Sequence, residues 1–445
     1  MGIIMTQITT LPDRSAIREQ RKIEVKKFQL YSQMFHIGSE VSKLNPFEYV
    51  ATGNRVYLPD RDALAQALRE EGKLQEYINC IEAPSKDRQE ITSLLRNAFG
   101  DRWYETETDD DKPIFPEYRS SKRLTEQKIT DLRPMIRNGM GKLYVPGTSI
   151  KGAIRTAITY HLLKNADRFR VPQRNRISSI ETQLKNNLGE LRQRAKFVDD
   201  RLFMDELFAN YGLTYQNRAA SVQDRPNPNT DIMRAVHVTD TDPIEQFTKL
   251  NTKGQTVIYN QALVAEVLVT SHSNDNKAKY RASLYTEMVS NLQVPFEITI
   301  DQEMLSWFKH RQNMQLPFQN IDDLIKICKE FAQEQWNFEH DYWQGVKDNI
   351  NAKDANGQTI NLNYDRIHKF YEKETCPYAL RIGWGSGMTG TTIGTLLDDE
   401  LRAQVRDICG IKAPNFEAPK SRRTVANAKR EIQFVLGWSM FKPLI

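Results

Sequence analysis

The segment from Tyr144 to Ala157, Tyr-Val-Pro-Gly-Thr-Ser-Ile-Lys-Gly-Ala-Ile-Arg-Thr-Ala, constrains this chain more than any other stretch. It predicts a short strand, Leu143-Tyr144-Val145, running into Pro146-Gly147-Thr148-Ser149 and a helix from Ile150 to about Leu163. Gly147 permits an unusual backbone turn, and Thr148 or Ser149 can cap the helix. The free amides of a helix start attract anions. Lys151 and Arg155 are four apart and share one face, and Gly152 leaves room for a close neighbour. Together they form a candidate phosphate cradle. The GxxxxGK[ST] spacing of a Walker A loop is absent. An ordinary capped helix with two surface cations fits the same residues.

Strands and helices alternate along the rest of the chain. Ile23–Phe35 reads as a strand. Phe47–Leu58 reads as a hairpin around Thr52-Gly53-Asn54, and Arg61 to about Leu68 as a helix. Residues 80–140 are polar and poorly periodic, which predicts a mobile insertion. Residues 177–211 look helical, and 215–231 should be an exposed loop or hairpin. Strands are expected at Arg234–Thr239, within Thr256–Val269, at Arg281–Val289 and at Pro295–Ile300. A long helix is expected at Ile321–Trp343, then a strand at Tyr378–Ile382, a helix from about Thr392 to Ile408, and a strand at Ile432–Phe441. This order predicts an α+β fold of two ferredoxin-like or RRM-like domains with helical and loop insertions. The expected domains are 1–245, carrying the insertion at about 80–140, and 246–445.

No run of 18 apolar residues occurs, so no transmembrane helix is expected. Cys80, Cys328, Cys376 and Cys409 are scattered without a CxxC pair, which points to a reducing cytoplasm. The net charge of +5 matters less than its distribution. Arg14, Arg18, Arg21, Lys22, Lys26 and Lys27 face only Glu19 and Glu24, and Lys420–Arg430 holds five basic residues and no acidic one. Such patches suit a polyanion, although charge runs are also common on solvated surfaces. The seven histidines show no HExxH pair and no zinc spacing, and there is no GxSxG elbow. Asp240 and Asp242 could form a metal pair, but a polar strand end fits them better. No cofactor and no metal is expected.

In Leu380-Arg-Ile-Gly-Trp-Gly-Ser-Gly-Met-Thr-Gly390, Gly385, Gly387 and Gly390 match GxGxxG between a strand and a helix. The acidic residue a dinucleotide fingerprint needs about twenty positions on is missing. Close approach of a nucleic-acid backbone to Gly383, Gly385, Ser386 and Gly387, with Arg381 and Trp384 nearby, fits the charge pattern better.

His36-Ile-Gly38-Ser39 after the first strand, the V-P-G-T-S-I-K-G-A-I-R segment and the late G-W-G-S-G loop follow in an order that resembles the RAMP superfamily of CRISPR-associated proteins. Lys420-Ser-Arg422-Arg423, followed by Leu436-Gly-Trp438, resembles the C-terminus of end-capping subunits in type III-A (Csm) effector complexes. The matching segments span residues 36 to 438 and cover about a tenth of the chain.

The resemblance implies a non-catalytic, guide-RNA-binding subunit of an antiviral ribonucleoprotein. It would cap the backbone filament at the 3′ end of the guide and support guide maturation. Its implied partners are the guide RNA, other RAMP backbone subunits, small subunits, and target RNA paired to the guide. Docking of host nucleases is left open, and no membrane is involved. RNA contacts would fall on His36, Gly38, Ser39, Gly147, Thr148, Ser149, Lys151, Gly152, Arg155, Arg381, Gly383, Trp384, Gly385, Ser386, Gly387, Lys420, Arg422 and Arg423. Cutting members of the superfamily carry an aspartate in the loop after the HIG motif. Here Gly38–Asn45 holds only Glu40 as a carboxylate. That departure argues against cleavage by this chain. The alternative is a catalytic RAMP endoribonuclease subunit of a type III complex.

Overall fold

The computed structural model describes residues 22–83, 91–189, 191, 200–215, 218–219, 226–272, 275–410, 412–413 and 416–444. The basic residues Arg14, Arg18 and Arg21 and much of the 215–231 loop lie outside the described residues. Twelve strands of the described residues join one sheet, numbered here in chain order. They are β1 (Ile23–Phe35), β2 (Val50–Ala51), β3 (Arg55–Tyr57), β4 (Ser120–Arg123), β5 (Leu132–Arg133) and β6 (Val236–Val238). The remainder are β7 (Gln261–Ser271), β8 (Lys279–Asp301), β9 (Leu380–Arg381), β10 (Arg422–Ala426), β11 (Ile432–Phe434) and β12 (Trp438–Pro443). The main path runs β9-β12-β1-β8-β7-β4-β3-β2, while β10 pairs with β7 and β11, and β5 and β6 pair with β8.

β1 sits between β8 and β12, antiparallel to both. Its alternation places Phe28 and Leu30 in the main core. Phe28 meets Phe296 of β8 at 5.7 Å, and Phe296 meets Phe441 of β12 at 5.0 Å. Each such aromatic pair contributes about 0.5–1.5 kcal/mol beyond its buried area.

The two strands expected at 281–289 and 295–300 are one strand, β8, of 23 residues. Asn291 adopts φ +48°, a left-handed conformation that asparagine tolerates. Val289 and Leu292 both enter the main core, with Ser290 and Asn291 as a break in the alternation between them. That break hides one strand as two in the sequence pattern.

Two helices cover the core face of the sheet: α1 (Gly147–Lys164) and α2 (Ile321–Gly345). The helical spacing of Ile150, Ile154, Ala157 and Ile158 buries one face of α1. Asn320 caps α2 by accepting from the Asp323 amide at 2.8 Å, and Asp322 and Asp323 in its first turn oppose the helix dipole. Among the described residues no helix is long and apolar enough to cross a membrane. The α+β expectation holds.

Order within 91–140 exceeds what its composition announces. Thr92–Phe99 is helical, and β4 and β5 pair in parallel with β7 and β8. Trp103, Ile114 and Phe115 form a satellite core with Leu64, Leu68 and Leu95. Ser120-Ser-Lys-Arg123 looks too polar for a strand, because its buried Ser121 serves a hydrogen bond rather than the core.

Candidate nucleic-acid interface

β1 delivers His36 to the interior, where its Nδ1 lies 2.6 Å from the Glu287 carbonyl. A carbonyl only accepts, so Nδ1 carries the proton. Burial drives the His36 pKa down to about 4, and the ring is neutral at pH 7. The Glu287 side chain takes two bonds from Arg137, at 2.7 and 2.8 Å, and one each from Ser121 and the Met135 amide. Burial alone would raise its pKa. Arg137 and these hydrogen bonds outweigh burial and hold the carboxyl below its ordinary range.

The glycine loop docks on the same strand end. Gly383 has φ +87°, and a side-chain carbon there would lie 2.3 Å from the His36 carbonyl. The Trp384 amide donates to that carbonyl at 3.1 Å. A side-chain carbon on Gly385 would fall 2.1 Å from Leu436 Cβ. Both glycines are therefore required by contacts within the protein, whereas the space at Gly387 is open. Ser386 donates to the Gly383 carbonyl and belongs to the loop itself.

Trp384 is half-buried, 5.6 Å from the His36 ring and nearly perpendicular to it. The Arg423 guanidinium lies 4.1 Å from the indole centroid, and that of Arg133 5.4 Å. Arg423 also donates to the Trp384 carbonyl at 2.9 Å. Burial, with Arg133 and Arg381 nearby, lowers the Arg423 pKa. Among the described residues neither Arg133 nor Arg423 pairs with a carboxylate. Two half-buried cations on one indole thus have no counter-ion, an arrangement suited to a phosphate backbone beside a base.

The basic tract divides by strand alternation. Arg422 turns inward on β10, 2.9 Å from the buried Glu339 and 3.8 Å from the Tyr342 ring. Arg381 is also buried, 3.6 Å from Glu339. Arg423 turns to Trp384, and Lys420 lies half-buried, 5.1 Å from the Phe416 ring. The expectation of a wholly uncompensated tract therefore fails at Arg422 and again at Arg430, which pairs with Glu266 at 3.0 Å and with Asp354 at 2.8 Å.

At the start of α1 the expected caps are not made: neither Thr148 nor Ser149 caps the helix by its side chain. Instead Asp240 accepts from the Gly147 amide at 2.7 Å, so a carboxylate of the chain already occupies that anion position. A side-chain carbon on Gly147 would lie 2.3 Å from the Val238 carbonyl. Arg155 pairs with Asp231 at 2.6 Å and stacks over Phe208 at 4.2 Å. Lys151 is half-buried without such a pair, and burial pushes its pKa down. Open space remains at Gly152.

Gly38 bridges Met135, and Ser39 donates to the Val41 carbonyl. The structure thus brings His36, Gly383, Trp384 and Arg423 together from three distant segments. Arg133 was missing from the sequence expectations. Its only signal is an arginine before Pro134 in a region whose polarity masks two strands.

Residues 35–352 match the RAMP superfamily model. A protein of Enterococcus italicus, CRISPR system Cms protein Csm5, is 24% identical over 176 residues, 35% of this chain and 50% of that relative. The match spans half that relative's length. A chain in a cryo-EM structure of a Csm–crRNA–target RNA ternary complex, from a type III-A CRISPR-Cas system, has TM-score 0.57 at 20% identity. It matches 94% of this chain and 100% of its own. The crystal structure of T. onnurineus Csm5 has TM-score 0.53 at 19% identity over 93% of this chain and 99% of its own. These structural likenesses establish a shared fold.

Proposed function

The chain belongs to the RAMP superfamily, and on that premise we propose that it is a guide-RNA-binding structural subunit of a type III-A CRISPR interference complex. In this role it caps the backbone filament at the 3′ end of the guide and supports guide maturation. It works in the cytoplasm beside other RAMP subunits and small subunits, meets target RNA through the guide, and does not itself cut RNA. The similarity to Csm5 and to a chain of a Csm–crRNA–target RNA assembly supports the choice of complex.

One observation carries the RNA-binding part. The HIG motif, the glycine loop and the basic tract meet at Trp384, where Arg133 and Arg423 stack without a carboxylate. Arginine planes and an indole offer stacking for unpaired bases and charge for phosphates in one place.

The test is a complex carrying Trp384→Ala and Arg423→Glu in this subunit, purified with its guides, whose 3′ ends are then sequenced. Shorter or more ragged 3′ ends are expected, because a loosened end is open to trimming. Guides of normal length and sharpness, with the variant subunit still bound, would overturn the proposal.

A further inference from the structure

A cleft of 470 Å³ opens between the helix Asp365–Tyr371, β11 and the end of β1. That volume lies within the range of small-ligand sites, about 300–1,000 Å³. Among the described residues no carboxylate lines it. Arg366 and Lys369 stand three apart on the helix and so share a face; both are exposed. Among the described residues neither pairs with a carboxylate. Phe370 and Phe434 supply half-buried rings to the lining, and Gln33 and Gln433 supply amides that both donate and accept.

This lining pairs phosphate-binding charge with stacking surface and with groups that can meet the polar edge of a base. Its position adds to the case. Phe434 and Trp384 pack against the same hydrophobic cluster, so one core supports both the cleft and the Arg423–Trp384 site. We infer that the cleft seats an unpaired nucleotide of the same single-stranded RNA that reaches Trp384. The inference rests on the RNA-binding role proposed above and adds a second contact to it. Arg366 and Lys369 take the phosphates, and the base lies against Phe434. The exposed side chains of the lining, Gln33, Arg366 and Lys369, are charged or amide-bearing, and lysine is depleted in protein–protein interfaces.

The experiment uses the full chain and a short oligouridylate containing 4-thiouridine, with binding measured across salt and crosslinked peptides identified by mass spectrometry. Arg366→Ala with Lys369→Ala removes two exposed side chains, and circular dichroism checks the fold. The slope of log affinity against log salt should flatten by about 1.4, at roughly 0.7 per phosphate on a single strand. Between about 50 and 200 mM salt the parent should then weaken about sevenfold more than the double variant. A crosslink to the peptide containing Phe434 is expected in the parent and should disappear in the double variant. An unchanged slope and crosslink, with Arg423→Glu still weakening binding, would overturn the cleft and leave the proposed function standing. If Arg423→Glu also changes nothing, both fall. If RNA binding is unchanged but the assembled complex loses a neighbouring subunit, the cleft is a protein contact and the inference is wrong.

Discussion

Arg422 and Arg423 are consecutive on β10, yet Arg422 sits 2.9 Å from buried Glu339 while Arg423 sits 4.1 Å from the half-buried indole of Trp384. The period of two in a strand separates, within one dipeptide, an arginine paired inside the fold from one that faces an indole without a carboxylate partner.

Replacing them singly should separate two effects. Arg422→Ala leaves Glu339 facing only Arg381, and loss of a partner from a buried ion pair costs about 3–5 kcal/mol. Urea titration should show that loss. Arg423→Ala should unfold at nearly the parent midpoint and weaken RNA binding instead. Equal midpoints for the two variants would contradict this assignment.

The α1 pair should divide in the same way. Lys151→Ala should weaken binding about equally for all RNA sequences and flatten its salt dependence, since a phosphate contact carries no base information. Arg155→Ala breaks a half-buried pair with Asp231 and should cost around 1 kcal/mol in stability, with less effect on RNA. Filter binding with two unrelated oligonucleotides, alongside thermal melts, measures both.

His36 makes stability depend on pH. Its folded pKa of about 4 lies below the ordinary value of 6.5, so the unfolded chain takes up the proton first. Its contribution is fully present above pH 6.5 and is lost as pH falls towards 4. The total is about 3 kcal/mol at 1.36 kcal/mol per pKa unit. His36→Asn, whose amide nitrogen can replace Nδ1 as donor, should flatten the stability profile between pH 6.5 and 4. An unaltered profile would show that His36 is not the titrating group.

The single carboxylate of the loop after the HIG motif, Glu40, is exposed. Glu40→Ala in an otherwise intact complex should leave the positions and rates of target cleavage as they were. Disappearance of one metal-dependent product would favour the nuclease alternative.

Glycine substitutions should follow the space around them. Gly385→Val forces side-chain atoms into Leu436 and should fail to fold stably. Gly387→Ala meets open space but a strained φ of +61°, and should cost about 1 kcal/mol while the protein still folds. Similar melting temperatures for the two would refute the packing role of Gly385.

α2 was legible because its buried residues recur at helical spacing, β1 because Phe28, Leu30, Ser32 and Met34 alternate inward until Phe35 breaks the period, and α1 because of its Pro-Gly start and the spacing of Ile150 and Ile154, although Ala157–Leu163 is buried all round. β8 was half legible: Asn291 shifts the alternation and splits the pattern. β4 was not legible, because its buried side chain, Ser121, answers to Glu287 across the sheet, a relationship 166 residues apart that no local pattern holds. The site motifs were visible as segments, but their division of labour was not. Asp240 taking the Gly147 amide, Asp231 taking Arg155 and Glu339 taking Arg422 are all long-range pairings. They turn apparent ligands for RNA into supports for the fold.

The position of β1 between β8 and β12 bears on synthesis. During translation the first strand is exposed from the outset, yet one edge stays vacant until Trp438–Pro443 leaves the ribosome. His36 and Arg423 can share Trp384 only near that moment. A nascent or prematurely terminated chain therefore lacks the assembled indole site, and under the proposed function RNA capture would be confined to chains whose sheet has closed.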